Sequence, residues 1–290
     1  MFNGPTVLLL GASSQIGFFL IPRLIRAGFH VLAVSRKGKP EAYADSEQLE
    51  WLASIEAAQS EKRYEYLVSA GPMELARQVF SSDQNIRTAV IFSSSSVITK
   101  QESTQPAERK QIRGMLSTES ELDSLATRRA IKLVIFRPTM IYGCGLDNNI
   151  SRLANWISRL GFLPVNGRAA GKRQPVHADD LAEVAVTALQ TDEPLPPKLV
   201  LTGGSTLSYT DMVTGIFSAL GKPTRIVRLP QWLFILLVNL RPGSDINSEM
   251  VRRQSVDLVF DDRQARELLA YKPRPFQPSE RDFRLPEFDW

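Results

Sequence analysis

The stretch Gly11-Ala12-Ser13-Ser14-Gln15-Ile16-Gly17 follows an apolar run and leads into a helical pattern, which suits a turn that cradles phosphate. In such a turn one glycine makes the tight bend, a second lets the backbone approach a pyrophosphate, and a third lets helix and strand pack closely. Gly11 and Gly17 can do the first and last jobs, while Ser14 holds the middle place, where its hydroxyl can itself reach a phosphate oxygen. The amides from Gln15 to Gly17, at a helix start, favour an anion. About twenty residues on, a carboxylate would hold the ribose 2′-hydroxyl of NAD. Ser35-Arg36-Lys37 stands there instead, and two cations suit the 2′-phosphate of NADP. NADP(H) is therefore expected over NAD(H).

Those residues need a frame. Short apolar runs alternate with helical patterns through the first two-thirds of the chain, the signature of βαβ units and a parallel sheet. Strands are expected at Thr6–Leu10, His30–Ser35, Leu49–Ile55, Tyr64–Ser69, Arg87–Ser93, Lys132–Arg137 and Lys198–Thr202. A helix from Gln15 to Ala27 places Ile16, Leu20, Leu24 and Ala27 on one face, with Pro22 set to kink it or remove one backbone bond. Another helix covers Asp180–Leu189, and beyond Gly203 the pattern turns to short helices and prolines without strong strands. The expected fold is α/β, a Rossmann-type doubly wound sheet with a smaller, mostly C-terminal lobe. Residues 1–143 with 174–203 would form the dinucleotide-binding domain, and 144–173 with 204–290 the substrate-binding lobe.

Composition excludes several classes. The 290 residues are 43% hydrophobic and 23% charged with a net charge of +4, and the cations are scattered, so no nucleic-acid footprint is expected. One cysteine, Cys144, rules out an internal disulfide and fits a reducing compartment. No metal-ligand spacing stands out. The run Trp232–Leu240 is about half of what a bilayer span needs, so a soluble, cytoplasmic protein is expected. That run and the Phe-rich tail (Phe276, Phe283, Phe288, Trp290) are candidates for a homodimer or protein-partner surface.

Four further segments resemble the extended short-chain dehydrogenases/reductases of the NAD-dependent epimerase/dehydratase family. They are Phe92–Ile98 (FSSSSVI), Arg137–Gly145 (RPTMIYGCG), Arg173–Ala182 (RQPVHADDLA) and Leu199–Met212 (LVLTGGSTLSYTDM). By position, the resemblance implies that Ser94 touches a substrate oxygen and that Pro138, Thr139 and Ile141 border the nicotinamide. It adds Ser13, Ala70, Gly71 and Ser93 to the cofactor surroundings, and matches Arg173 to an arginine that holds a substrate phosphate. The substrate class it implies is a nucleotide sugar or another phosphorylated or carbonyl compound. His177 and Asp179–Asp180 are expected to fix a loop and cap a helix, and Cys144 to be a small buried filler.

One departure is large. The family moves a proton with a tyrosine whose pKa is lowered by a lysine four residues on, because a phenol otherwise titrates near 10. Of the six tyrosines, none lies between Tyr66 and Tyr142. Anchoring on Glu121 as the glutamate after the lysine puts Arg113 and Ser117 in those places. Two readings stay open: an atypical oxidoreductase or epimerase using Ser94, Tyr142 or a substrate-borne acid, and a non-catalytic NADP(H)-binding sensor or assembly protein.

Overall fold

The computed structural model describes residues 4–36, 38–40, 43, 46–61, 64–82, 85–230, 232–233 and 253–285. Seven strands form one parallel sheet: β1 (Thr6–Leu10), β2 (His30–Val34), β3 (Leu49–Leu52), β4 (Tyr66–Ser69), β5 (Thr88–Phe92), β6 (Lys132–Pro138) and β11 (Lys198–Leu201). Their order is β11-β6-β5-β4-β1-β2-β3. Such strands are covered on both faces, which is why they read as continuous apolar runs; Val7 to Leu10 have no exposed surface at all.

Helices α1 (Gly17–Arg26) and α7 (Ala178–Gln190) cover one face, burying Leu20, Leu24, Leu181 and Ala185 against Leu9, Ala33 and Val68. Helices α2 (Ile55–Glu61), α3 (Met73–Ser81) and α5 (Pro106–Arg128) cover the other, around Leu8, Leu67, Ile91 and Leu122. A single turn, α4 (Ser96–Thr99), links β5 to α5. A third apolar cluster joins β7 (Ile141–Tyr142), α6 (Ile150–Leu160), β8 (Leu163–Asn166) and α8 (Tyr209–Ala219) through Tyr142, Ile157, Val165 and Phe217. Three short pieces complete this part of the chain: β9 (Lys172–Arg173), β10 (Val176–His177) and β12 (Leu207–Ser208). They are followed by β13 (Ile226–Leu229), α9 (Arg263–Leu269) and a 3-10 turn at Glu280–Phe283.

The seven expected strands are all present, with local differences. The third ends at Leu52, not Ile55, because the Ser54 hydroxyl accepts from the Ala57 amide at 3.2 Å and so caps α2. Beyond Gly203, β13 pairs in parallel with β8, a strand too short to stand out among its prolines. The Phe-rich tail does not form an exposed surface over its described part: Phe276 is buried against the Tyr142 ring at 5.0 Å, and Phe283 packs on the same cluster. Phe288, Trp290 and residues 234–240 of the apolar run lie outside the described residues; Trp232 is 67% exposed.

Pro22 removes the amide that would bond the Phe18 carbonyl in α1. The buried Tyr43 hydroxyl supplies the missing donor to that carbonyl at 3.0 Å, with its ring stacked on Phe18 at 5.7 Å. An unsatisfied buried carbonyl is costly, so Tyr43→Phe should destabilise the fold by about 1–3 kcal/mol in denaturant titrations. In a Pro22→Ala background, where the amide returns, the same substitution should cost clearly less. Equal costs in the two backgrounds would refute the substitution of one donor for the other.

Candidate functional site

The turn after β1 sits where the sheet order reverses, with β2 on one side of β1 and β4 on the other. Gly11 has φ of +75°, and a Cβ there would lie 2.5 Å from the Gly71 amide nitrogen; one on Gly17 would lie 2.3 Å from the Gly11 carbonyl oxygen. Neither position admits a side chain. Ser14, three residues ahead of α1, ties the turn to the helix start: its Oγ accepts from the Gly17 amide at 3.1 Å and its carbonyl from the Phe18 amide at 3.1 Å. Its hydroxyl proton stays available to an outside acceptor. Ser13 Oγ accepts from the Ser35 hydroxyl at 3.0 Å, tying the turn to the end of β2. Ala70 donates its amide to the Leu10 carbonyl at 2.9 Å, which holds Gly71 against Gly11.

Gln15 adds an unexpected detail. Its Nε2 is buried without a hydrogen-bond partner while the side chain lines a cleft, a cost that a bound acceptor would remove. The turn therefore fits a dinucleotide phosphate on its own geometry. At the end of β2, Ser35 is buried and Arg36 exposed; Lys37 lies outside the described residues.

The cleft, about 580 Å³, runs from Gln15 past Ser94, Pro138, Thr139 and Ile141 to Arg173. Ser94 Oγ accepts from the Ser96 amide at 3.1 Å, which leaves its own proton free to donate. Thr139 is pinned by its amide to Leu201 at 2.9 Å and by its hydroxyl to the Gln174 carbonyl. Ser93 also lines the cleft, but its hydroxyl donates to Glu119 at 2.6 Å. Glu119, 1% exposed, takes two further bonds from Arg137.

That buried pair corrects the register read from the sequence. Arg113 and Ser117 are both exposed, Ser117 bonding Glu121 at 3.2 Å. Glu121 is half exposed and faces Arg77 at 3.7 Å. Glu119 is the glutamate of α5 that faces the sheet; steps of four back from it reach Met115 and Gln111, which hold no proton to exchange at neutral pH. Among the described residues, no side chain of α5 lines the cleft.

Tyr142 is corrected as well. It is 1% exposed, lies outside the cleft lining, and is enclosed by His177 and Phe276 with ring centres 5.0 Å away in each case. Burial, with Asp282 and Asp180 nearby, pushes its phenol above the ordinary value, the wrong direction for an acid working near neutrality. His177, by contrast, does the expected structural work, since its Nδ1 accepts from the Asp179 amide at 3.1 Å and caps α7. Asp179 and Asp180 bind Arg23 and Arg274, and Cys144 is buried, its thiol pushed up to about 11 by burial.

At the far end Arg173 is 4% exposed, and its guanidinium donates to the carbonyls of Lys172 and Val256, both at 2.7 Å, and of Arg253. It forms no ion pair with a carboxylate among the described residues, and burial lowers its pKa. Tyr209, 5.8 Å from that guanidinium to its ring centre, is pushed up to about 12 by its own burial. Lys100, Arg152 and Arg253 line the same cleft. Arg173 thus carries a buried positive charge that only carbonyl oxygens meet through hydrogen bonds among the described residues, while Lys100 and Arg253 pair with Glu108. Sequence reasoning singled out Arg173 but not Lys100 or Arg253, which carry no motif and meet only through the fold.

No protein-family model matches the chain. Over 155 residues it is 29% identical to UDP-glucose 4-epimerase of Vibrio cholerae, a stretch covering 53% of this chain and 46% of that one. The chain spans about half the length of the curated relatives it matches. Among solved structures it is similar to UDP-glucuronic acid 4-epimerase from Bacillus cereus in complex with UDP-glucuronic acid and NAD. The TM-score is 0.71 at 16% identity, over 92% of this chain and 94% of that one. An epimerase from Methanothermobacter thermautotrophicus gives 0.70 at 18%, over 97% and 90%. These likenesses show the fold: a Rossmann-like α/β architecture shared with the epimerase structures.

Removing one partner of a buried ion pair strands the other, so Glu119→Gln should cost roughly 3–5 kcal/mol. The exposed Glu121→Gln should stay within about 1 kcal/mol. Denaturant midpoints of the two variants measure this; equal losses would put the anchor of α5 back at Glu121.

Proposed function

We propose that the chain binds NADP(H) and acts as an atypical oxidoreductase or epimerase on a nucleotide sugar or another phosphorylated carbonyl compound. The observation that carries this reading is the single cleft with the phosphate-cradling turn at one end and an unpaired buried arginine, Arg173, at the other. Residues 1–143 with 174–203 would hold the cofactor, and 144–173 with 204–290 the substrate.

A nicotinamide dinucleotide, when bound, accepts a hydride from carbon or returns it. Around it, Gly11, Ser13, Ser14, Gln15, Ile16 and Gly17 would surround the pyrophosphate, with Ala70 and Gly71 alongside. Pro138, Thr139 and Ile141 would border the nicotinamide. Arg36, with no acid beside it at the end of β2, supports a 2′-phosphate and hence NADP(H), although the Bacillus cereus structure carries NAD. Ser94 would donate its free hydroxyl proton to the substrate oxygen, and Arg173 would hold the substrate phosphate. The Tyr-Lys pair of the family is replaced on α5 by groups that exchange no proton, so the proton passes through Ser94 or a group that the substrate carries.

The absence of any α5 side chain from the described cleft lining favours a second reading, a non-catalytic NADP(H)-binding sensor or assembly protein. Turnover of NADPH with a panel of nucleotide sugars and carbonyl compounds separates the two. For an enzyme, Ser94→Ala should lower kcat on the order of a hundredfold, with NADPH affinity retained. Tight NADPH binding without turnover by the unaltered protein would leave the binding module. Separately, Arg36→Glu should weaken NADPH by about tenfold or more and leave NADH within about twofold, measured by fluorescence titration. Equal losses for both would overturn the NADP(H) preference.

A further inference from the structure

The cations of the cleft already hold an anion, and it belongs to the protein. Glu108, on the first turn of α5, bonds both arms of the Arg253 guanidinium, at 2.9 Å through Oε1 and at a second, shorter contact through Oε2. Lys100 Nζ lies 2.8 Å from the same carboxylate, and the Ser103 hydroxyl donates to it. The pair is four-fifths buried, with Arg253 at 17% and Glu108 at 19% side-chain exposure. Arg253 and Lys100 both line the cleft, whereas Glu108 reaches them from behind. The Arg253 carbonyl accepts from Arg173, so the unpaired guanidinium and the clasped one are joined.

We infer that Glu108 is an internal anion that holds the donors of Arg253 and Lys100 which a diphosphate in the cleft would use, so that such a ligand must displace it from them. This rests on the reading of Arg173 as a substrate-phosphate site. The geometry of a carboxylate on a guanidinium fork is the one a phosphate adopts, and a diphosphate brings more negative charge to the same donors. Asp147, the acid in the cleft lining, is no competitor: its oxygens accept from the amides of Asn149 and Ser151. The two cations hold the Glu108 carboxyl down at about 2, so the clasp is lost only as pH falls through that value and is closed throughout the neutral range. Displacement by a ligand, not protonation, is what opens it.

Inorganic pyrophosphate carries the charge without committing to a base, and calorimetric titration of the full chain gives its affinity. Glu108→Gln, which keeps a neutral acceptor in place, should bind it on the order of tenfold more tightly than the unaltered protein, with NADPH affinity unchanged. Glu108→Asp, one methylene shorter, should fall between them and serves if the glutamine variant does not fold. Arg173→Met should bind pyrophosphate more weakly than the unaltered protein. Equal or weaker binding by both Glu108 variants overturns the internal occupant while the Arg173 site stands. Binding by the unaltered protein that Arg173→Met leaves unchanged, or no binding by any form, overturns the phosphate reading and this inference with it.

Discussion

The buried pairing of Glu119 with Arg137 and Ser93 orders much of what surrounds the cleft. One carboxylate in α5 reaches the end of β5 through Ser93 and the end of β6 through Arg137, so a helix and two strand ends share a single charged knot. A carboxylate at 1% exposure persists only where its charge and its lone pairs are met. Meeting them sets the rotation of α5, which turns Ile112, Leu122 and Ala126 inward and Arg113 and Ser117 to solvent. It also fixes Ser94 and Pro138, each one residue from a member of the knot, on the floor of the cleft.

The two ends of that cleft are built on different principles. At the turn after β1, the fit comes from absence: glycines at 11 and 17 let backbone touch backbone, and Ser14 ties the turn to the helix start while keeping a proton to give. At the Arg173 end the fit comes from charge, with a guanidinium held by carbonyls and no carboxylate among the described residues to neutralise it. Between them lie hydroxyls and apolar side chains.

Packing decides what the buried tyrosines can do. Tyr142 belongs to the apolar cluster of α6 and α8, and Tyr43 is committed to the carbonyl that Pro22 leaves bare in α1. Tyr209 does line the cleft, but its own burial drives its phenol upward in spite of Arg173. A tyrosine beside a cation is not thereby an acid; desolvation decides the sign here.

The sheet and the tight glycine turn after β1 were legible in the sequence, because each is written in contiguous residues: four-residue apolar runs and a Gly-Ser-Gly spacing. The end of β3 was misjudged by three residues because a hydroxyl at Ser54 outweighed the apolar pattern. Which glutamate faces inward on α5 was not legible, since Glu119 and Glu121 differ only in helical phase, and phase is set by Arg137 from another strand. Nor was the meeting of Lys100, Glu108 and Arg253, whose carboxylate and guanidinium stand 145 residues apart. Local pattern determines what the chain forms, because backbone geometry and burial act within a few residues. Tertiary structure decides which charges meet, because Coulomb attraction and desolvation depend on distance through space, which separation along the chain does not reveal.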